Sequence, residues 1–156
     1  TIIGGGNDCN NETLKFININ SDFITYLGKI YDPLKIQDIM RVHFLFAMPS
    51  IHETFGLVYI EALSQNLPII FTKGQGVDNI FLNTNNPIGI GVNPLSTIEI
   101  KDAIKAVIKN RELYSNRQVD FSLFDWTNIA QMYKNDYEFI IDLNNISINS
   151  NNLDGI

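Results

Sequence analysis

The sequence predicts a doubly wound α/β domain built on a mostly parallel sheet, and three observations carry that prediction. Continuous apolar runs of strand length recur at residues 44–48, 67–71 and 88–92, the pattern of strands covered on both faces. Helix signals stand between and after them, notably Asp32 followed by Pro33 and Ser96 followed by Glu99. Loops rich in Gly, Pro or Ser come at the ends of strand runs, at Gly28, residues 50–56 and residues 72–76. Ligands of such sheets bind beyond the carboxyl ends of the strands, so these loops are expected to converge on one crevice.

Taken in order, residues 1–3 read as a strand running into Gly4-Gly5-Gly6, with no starting Met, as a fragment begins. The third Gly of a G-x-G-x-x-G fingerprint would fall at Cys9, so a tight turn is the better reading. Residues 13–19 fit either a short helix or an alternating strand. Residues 23–27 form a strand ending at Gly28, and Asp32-Pro33 supplies a cap and a first-turn Pro for a helix over 33–41. Residues 44–48 read as a central strand bounded by Pro49. The helix that follows is apolar on nearly every face from Leu57 to Leu63, yet carries Glu61. Burying an unpaired carboxylate costs roughly several kcal/mol. Glu61 must therefore reach the rim, meet a cation or receive donors from a ligand.

That helix ends near Gln65, where Asn66 suits a left-handed cap before a strand over 67–71. A flexible loop at 72–76, a short helix at 77–82, a polar loop at 83–87 and a strand at 88–92 come next. Ser96 and Glu99 make a capping box for a helix whose buried stripe is Ile100, Ile104, Val107 and Ile108. A short helix at 112–118 precedes a long last helix capped by Thr127, with Ile129, Met132, Tyr133, Tyr137, Ile140 and Ile141 on its apolar side and Trp126 as a packing anchor. Residues 144–156, rich in Asn and Ser without helical period, are expected to form a mobile tail to a single domain over 1–143.

Bulk properties agree with one domain, since 156 residues hold one proper core and no second. A net charge of −6 argues against nucleic-acid binding, so any phosphate site is local. The single cysteine, Cys9, excludes an internal disulfide and suits a reducing, cytoplasmic setting. No run of transmembrane length appears.

Chemistry concentrates at residues 49–68. Gly56 lacks a Cβ, and the free N–H groups of Gly56, Leu57 and Val58 would form a positive helix end suited to phosphate. Glu53 lies in the loop just ahead, and Glu61 follows it at 61 − 53 = 8 positions. His52-Glu53 does not begin a zinc helix, because the residue four after His52 is Gly56. His43, just before an apolar strand, reads as structural. Neither an Asp-x-Asp metal motif, a Gly-x-Ser-x-Gly elbow nor a Walker loop is present.

The run Glu53-Thr54-Phe55-Gly56-Leu57-Val58-Tyr59-Ile60-Glu61-Ala62-Leu63, with Leu67-Pro68-Ile69-Ile70 after it, resembles the E-x7-E signature of retaining glycosyltransferases of family four. Ile2 to Gly6, Phe23 to Gly28, Met48-Pro49-Ser50 and Phe124-Asp125-Trp126 resemble the family's landmarks in order. The resemblance implies a Rossmann-like fold, one half of a GT-B enzyme, that binds a nucleoside-diphosphate sugar such as a UDP-sugar. It implies that Glu61 accepts from the ribose hydroxyls, that Glu53 contacts the transferred sugar near the reacting carbon, and that the Gly56 and Leu57 amides hold the phosphates. Ser50, Phe55 and Val58 complete that wall, and Gly28 and Lys29 meet the base through their backbone. Read from its place in the adjacent strand-end loop, Lys73 either adds a cation or, as Lys in a Gly-rich loop usually does, stays solvated.

No cofactor and no metal are implied. The family's pyrophosphate-gripping Arg and Lys would precede Thr1. So would the acceptor-binding N-terminal half, without which residues 1–156 should not catalyse transfer. A lipid acceptor, where there is one, would draw the whole protein to a membrane surface. Competing expectations are a catalytically silent nucleotide-binding homologue, a flavodoxin-like interaction domain and, fitting the motif less well, a nucleotide-sugar epimerase.

Overall fold

Three short strands, β1 (Phe46–Ala47), β2 (Ile69–Thr72) and β3 (Gly89–Val92), pair in parallel in the order β1-β2-β3. The computed structural model describes residues 1–5, 11–80, 87–114 and 119–151. Contacts divide the chain into two compact units, Thr1–Arg117 and Gln118–Ile156. The sheet lies in the first, with helices α1 (Asn11–Ile19), α2 (Pro33–Arg41), α3 (Leu57–Ser64) and α4 (Thr97–Lys109). This is the α/β, Rossmann-like architecture expected. Residues 13–19, open between helix and strand, fall within α1.

β2 is buried at every position, as a strand covered on both faces must be. It, and not the 44–48 run, is the middle strand. β1 is an edge because only its β2 side is paired. Residues 1–3 and 23–27 contribute a single parallel bridge, Ile2 to Tyr26, instead of two full strands. Ile70, Val92 and Ala103 form a core cluster against which Leu45, Ile90, Ile100 and Ile104 pack. Arg111 ties the strand starts together by donating to Phe44 O at 3.3 Å and Asn66 O at 2.8 Å, with its guanidinium 5.2 Å from the Phe44 ring centre.

Local chemistry sets the helix ends. Asp32 Oδ1 accepts from Leu34 N at 3.0 Å at the start of α2, and Asn66 stands at φ 60° after α3, its N–H donating to Leu63 O, both as expected. Ser96 Oγ accepts from Glu99 N at 3.2 Å, but the Glu99 carboxylate accepts from Asn93 N at 2.9 Å. The box is thus half closed, because Glu99 satisfies the preceding turn instead. On α4 Val107 is buried and Ile108 is exposed, while Ala103 takes the inward position. Spacing of 4 from Ala103 to Val107 keeps that face, whereas Ile108 lies about 100° further round.

In the second unit a 3-10 turn at Phe121–Phe124 leads to helix α5 (Trp126–Asn151). Asp125, not Thr127, is the cap, its Oδ1 accepting from Thr127 N at 2.9 Å and Asn128 N at 3.2 Å. Trp126 is 76% exposed and so does not anchor packing. α5 continues past Asp142 to Asn151, eight residues or so into the expected tail, because neither Gly nor Pro interrupts it. Met132, Tyr133, Tyr137, Ile140 and Ile141 keep helical spacing on an exposed side. Among the described residues no helix is long and apolar enough to cross a membrane. Cys9, the 83–86 loop and parts of the helices expected at 77–82 and 112–118 lie outside the described residues; within them are 3-10 turns at Gly76–Asn79 and Arg111–Leu113.

The β2–β3 pair depends on a missing side chain. A Cβ on Gly89 would lie 1.8 Å from Ile69 O, so Gly89→Ala is expected to cost at least about 3 kcal/mol in urea unfolding. Gly28→Ala, at φ +65° with open space around it, is expected to cost only about 1–2 kcal/mol. Equal losses would show that the strand contact is not the limiting one.

Candidate functional site

The loop between β1 and α3 is held by side chains from three directions. Tyr59, 1% exposed, stands edge-on between Phe46 and Phe71, with ring centres 5.8 and 6.5 Å away. Its hydroxyl donates to Met48 O. The Thr72 hydroxyl, buried at the end of β2, donates to Ser50 O. From the next loop, Gln75 Oε1 accepts from Glu53 N at 2.8 Å while Gln75 Nε2 donates to Ile51 O at 3.2 Å. Residues 48–53 are therefore fixed by groups belonging to α3, β2 and the loop after β2.

Gly56 closes the loop and opens the helix. It caps α3 at φ 79° without a side-chain cap of its own. A Cβ there would lie 2.4 Å from the Tyr59 ring and 3.3 Å from the carboxyl carbon of Glu53. Gly is thus required for both conformation and space. Gly76 brings the neighbouring loop close in the same way, a Cβ on it meeting Phe55 O at 2.9 Å and Glu53 Cγ at 3.1 Å. The structure thus packs the loops at 50–56 and 73–76 together, with the half-buried Glu53 between them beside a helix start that attracts negative charge.

Glu61 resolves its apparent misplacement by geometry. α3 buries Tyr59, Ile60, Ala62 and Leu63, while Leu57, Glu61 and Ser64 are exposed. Leu57 and Glu61, four apart, share the outward side, so the carboxylate reaches the rim without a cation. It lines a cavity of about 330 Å³ with Val58, Leu67, β1 and the Thr1 to Ile3 segment. Phe55 and Lys73 are exposed beside the loops. Gly28 O accepts from Gly4 N at 2.8 Å, tying the Gly28-Lys29 turn to the N-terminal segment. His43 Nδ1 lies 2.6 Å from Ile39 O and Nε2 2.7 Å from Thr1 Oγ1, a packing role.

Sequence reading missed Tyr59, Thr72 and Gln75 as supports of the site. Tyr59 reads as one more apolar helix residue. Thr72 and Gln75 carry a signal in hindsight: a hydroxyl ending a wholly apolar strand, and a long amide set between Gly74 and Gly76.

A family model described as "Glycosyl transferases group 1" matches residues 1–120. The chain belongs to the group 1 glycosyl transferases. Among curated relatives of this glycosyl transferase chain, the probable sucrose-phosphate synthase of Vicia faba is 30% identical over 93 residues, 57% of this chain and 9% of the relative. Sucrose-phosphate synthase 4 of Arabidopsis thaliana is 31% identical and the probable sucrose-phosphate synthase 1 of Craterostigma plantagineum 32%, over the same shares. The matched stretch spans 9% of those relatives' length. The observed α/β unit agrees with the Rossmann-like half of a GT-B glycosyl transferase.

Burial, then the Glu53 charge, push the Tyr59 phenol from 10.0 up to about 12. The unfolded phenol ionises near the lower value and the folded one keeps its proton, so the unfolded state binds fewer protons between them. Stability is therefore lost as pH rises from about 10 to about 12. Urea midpoints of the wild type are expected to fall more steeply across that window than those of Tyr59→Phe. Parallel slopes would contradict the assignment.

Proposed function

We propose that this chain supplies the donor site of a retaining, family-four glycosyltransferase that takes its sugar from a nucleoside diphosphate, with UDP-sugars as the donor class. The observation that supports it best is the start of α3 at Gly56, a cap residue without a side chain, with Glu53 beside it and Glu61 on the helix's outward side. An anion seat flanked by acceptors suits a ligand that joins phosphates to hydroxyl-rich rings. Membership of the group 1 family and similarity to sucrose-phosphate synthases support the same reading.

In this proposal the Gly56, Leu57 and Val58 amides hold the diphosphate, with Ser50 and Phe55 beside it and Lys73 adding positive charge. Glu61 accepts from the ribose hydroxyls and Glu53 from hydroxyls of the transferred sugar. The Gly28-Lys29 backbone meets the base. The bond from the sugar's anomeric carbon to the phosphate oxygen breaks, and a bond to the acceptor oxygen forms on the same face. The acceptor's proton passes to the departing phosphate. Anion stabilisation by amides and Lys73 assigns no role to a metal. The acceptor-binding half lies in polypeptide outside residues 1–156, and a lipid acceptor would bring the whole protein to a membrane surface.

Calorimetric titration with UDP, GDP and ADP tests this. One nucleotide is expected to bind with a clear preference, and Glu61→Ala to weaken it about 10- to 100-fold, as losing hydrogen bonds to a charged acceptor does. Lys101→Ala, on the exposed side of α4, serves as the unaffected control. Failure of all three nucleotides to bind, both here and with the acceptor half attached, would overturn the proposal and favour an interaction domain. Unchanged affinity in Glu61→Ala would remove Glu61 from the site.

A further inference from the structure

Ile2 and Tyr26 form a parallel bridge. Around it Ile2 N donates to Thr25 O at 2.8 Å, Leu27 N to Ile2 O at 3.0 Å and Gly4 N to Gly28 O at 2.8 Å. The two segments run the same way, so Gly4-Gly5 and Gly28-Lys29 leave them at one end. It is the carboxyl end, where ligands of parallel sheets bind.

Main-chain bonds alone hold that end weakly. Gly4 and Gly5 stand at φ 119° and Gly28 at φ 65°, values that Gly adopts freely and other residues rarely do. The freedom that lets Gly enter these conformations also lets it leave them, since Gly has more backbone entropy to lose than any other residue.

One side chain supplies the constraint. The half-buried Tyr26 donates through its hydroxyl to Gly4 O at 3.0 Å, across 22 residues of chain. Gly4 is therefore gripped at both polar groups, its N–H by Gly28 O and its C=O by Tyr26. Tyr26 precedes Gly28 by two residues, so the three close a small ring in which the Gly28 carbonyl is located by a side chain of its own segment, relayed through Gly4. Gly5 makes the room, because a Cβ on it would collide with the Tyr26 hydroxyl. A Cβ on Gly28 would meet nothing within 4 Å. The turn is thus fixed through its carbonyl and open beside its α-carbon.

We propose that Tyr26 is a positioning residue for the base of the nucleotide: its hydroxyl, acting through Gly4, sets the Gly28-Lys29 turn whose backbone meets that ring. The inference rests on the donor-site reading above and adds to it a residue that touches no ligand. The base end of the donor then has a tie of its own, separate from the Gln75 amide that holds the loop at 50–56.

The test compares UDP with ribose 5-diphosphate, the same ligand without its base, by calorimetric titration of the wild type and Tyr26→Phe. The variant keeps the ring and removes the donor. Expected are UDP affinity weaker by about five- to tenfold, ribose 5-diphosphate affinity within about twofold of wild type, and exchange of the Gly4 amide faster by about fivefold or more. Gly5→Ala, which displaces the hydroxyl, is expected to give the same split between the ligands. Equal weakening of both ligands in Tyr26→Phe would overturn the proposal by making Tyr26 a general support of the fold, and so would unchanged UDP affinity. A wild type that binds UDP no tighter than ribose 5-diphosphate would overturn the base contact of Gly28-Lys29 and this proposal with it, an outcome visible without any variant.

Discussion

The Gln75 amide is the tie on which the site depends. One side chain accepts from Glu53 N and donates to Ile51 O, spanning two strand-end loops that share no covalent path shorter than α3 and β2. A loop of this kind otherwise samples many conformations, and fixing each residue costs about 1–2 kcal/mol of backbone entropy. Thr72 and Tyr59 spread that cost by holding Ser50 O and Met48 O from β2 and α3. The carboxylate of Glu53 is thereby set beside Gly56 before any ligand arrives. Preorganisation of this sort separates a binding loop from a merely polar one.

Packing makes the tie possible. Tyr59 wedges its ring between Phe46 and Phe71, so the first turn of α3 is seated on the β1 and β2 strands that feed the two loops. The pillar's hydroxyl end is also its polar end, and it is spent on Met48 O. With Tyr59, Ile60, Ala62 and Leu63 inward, the outward side of α3 is left to Leu57 and Glu61. The charge in an apolar helix is thus a consequence of which residues face the sheet. No compensating cation is needed at a rim that water reaches.

What the sequence revealed divides along a physical line. Asp32, Ser96 and Asn66 act within a few residues of themselves, and their caps were legible. The apolar runs located β2 and β3 because burial on both faces is written into composition. Partner choice was not legible. Glu99 turns to Asn93 N, Asp125 displaces Thr127 as a cap, and β1 lies at an edge because its far side meets a cavity and not a strand. The E-x7-E run marked Glu53 and Glu61, whereas Thr72 and Gln75 act across 22 residues of chain, a separation that no local pattern encodes. The exposed apolar side of α5 kept its predicted spacing, but periodicity alone names a face without naming what it meets.

The account's central claim is that the Gln75 tie presets the loop proposed to hold the donor. The direct measurement is the UDP dissociation constant of Gln75→Ala beside the wild type, taken at a temperature where unfolding curves show both fully folded. Loss of about 1 kcal/mol or more of preorganisation predicts affinity weaker by roughly five- to tenfold, although Gln75 is assigned no contact with the nucleotide. Equal affinity in the two proteins would contradict the claim, since the loop would then be ordered without its tie.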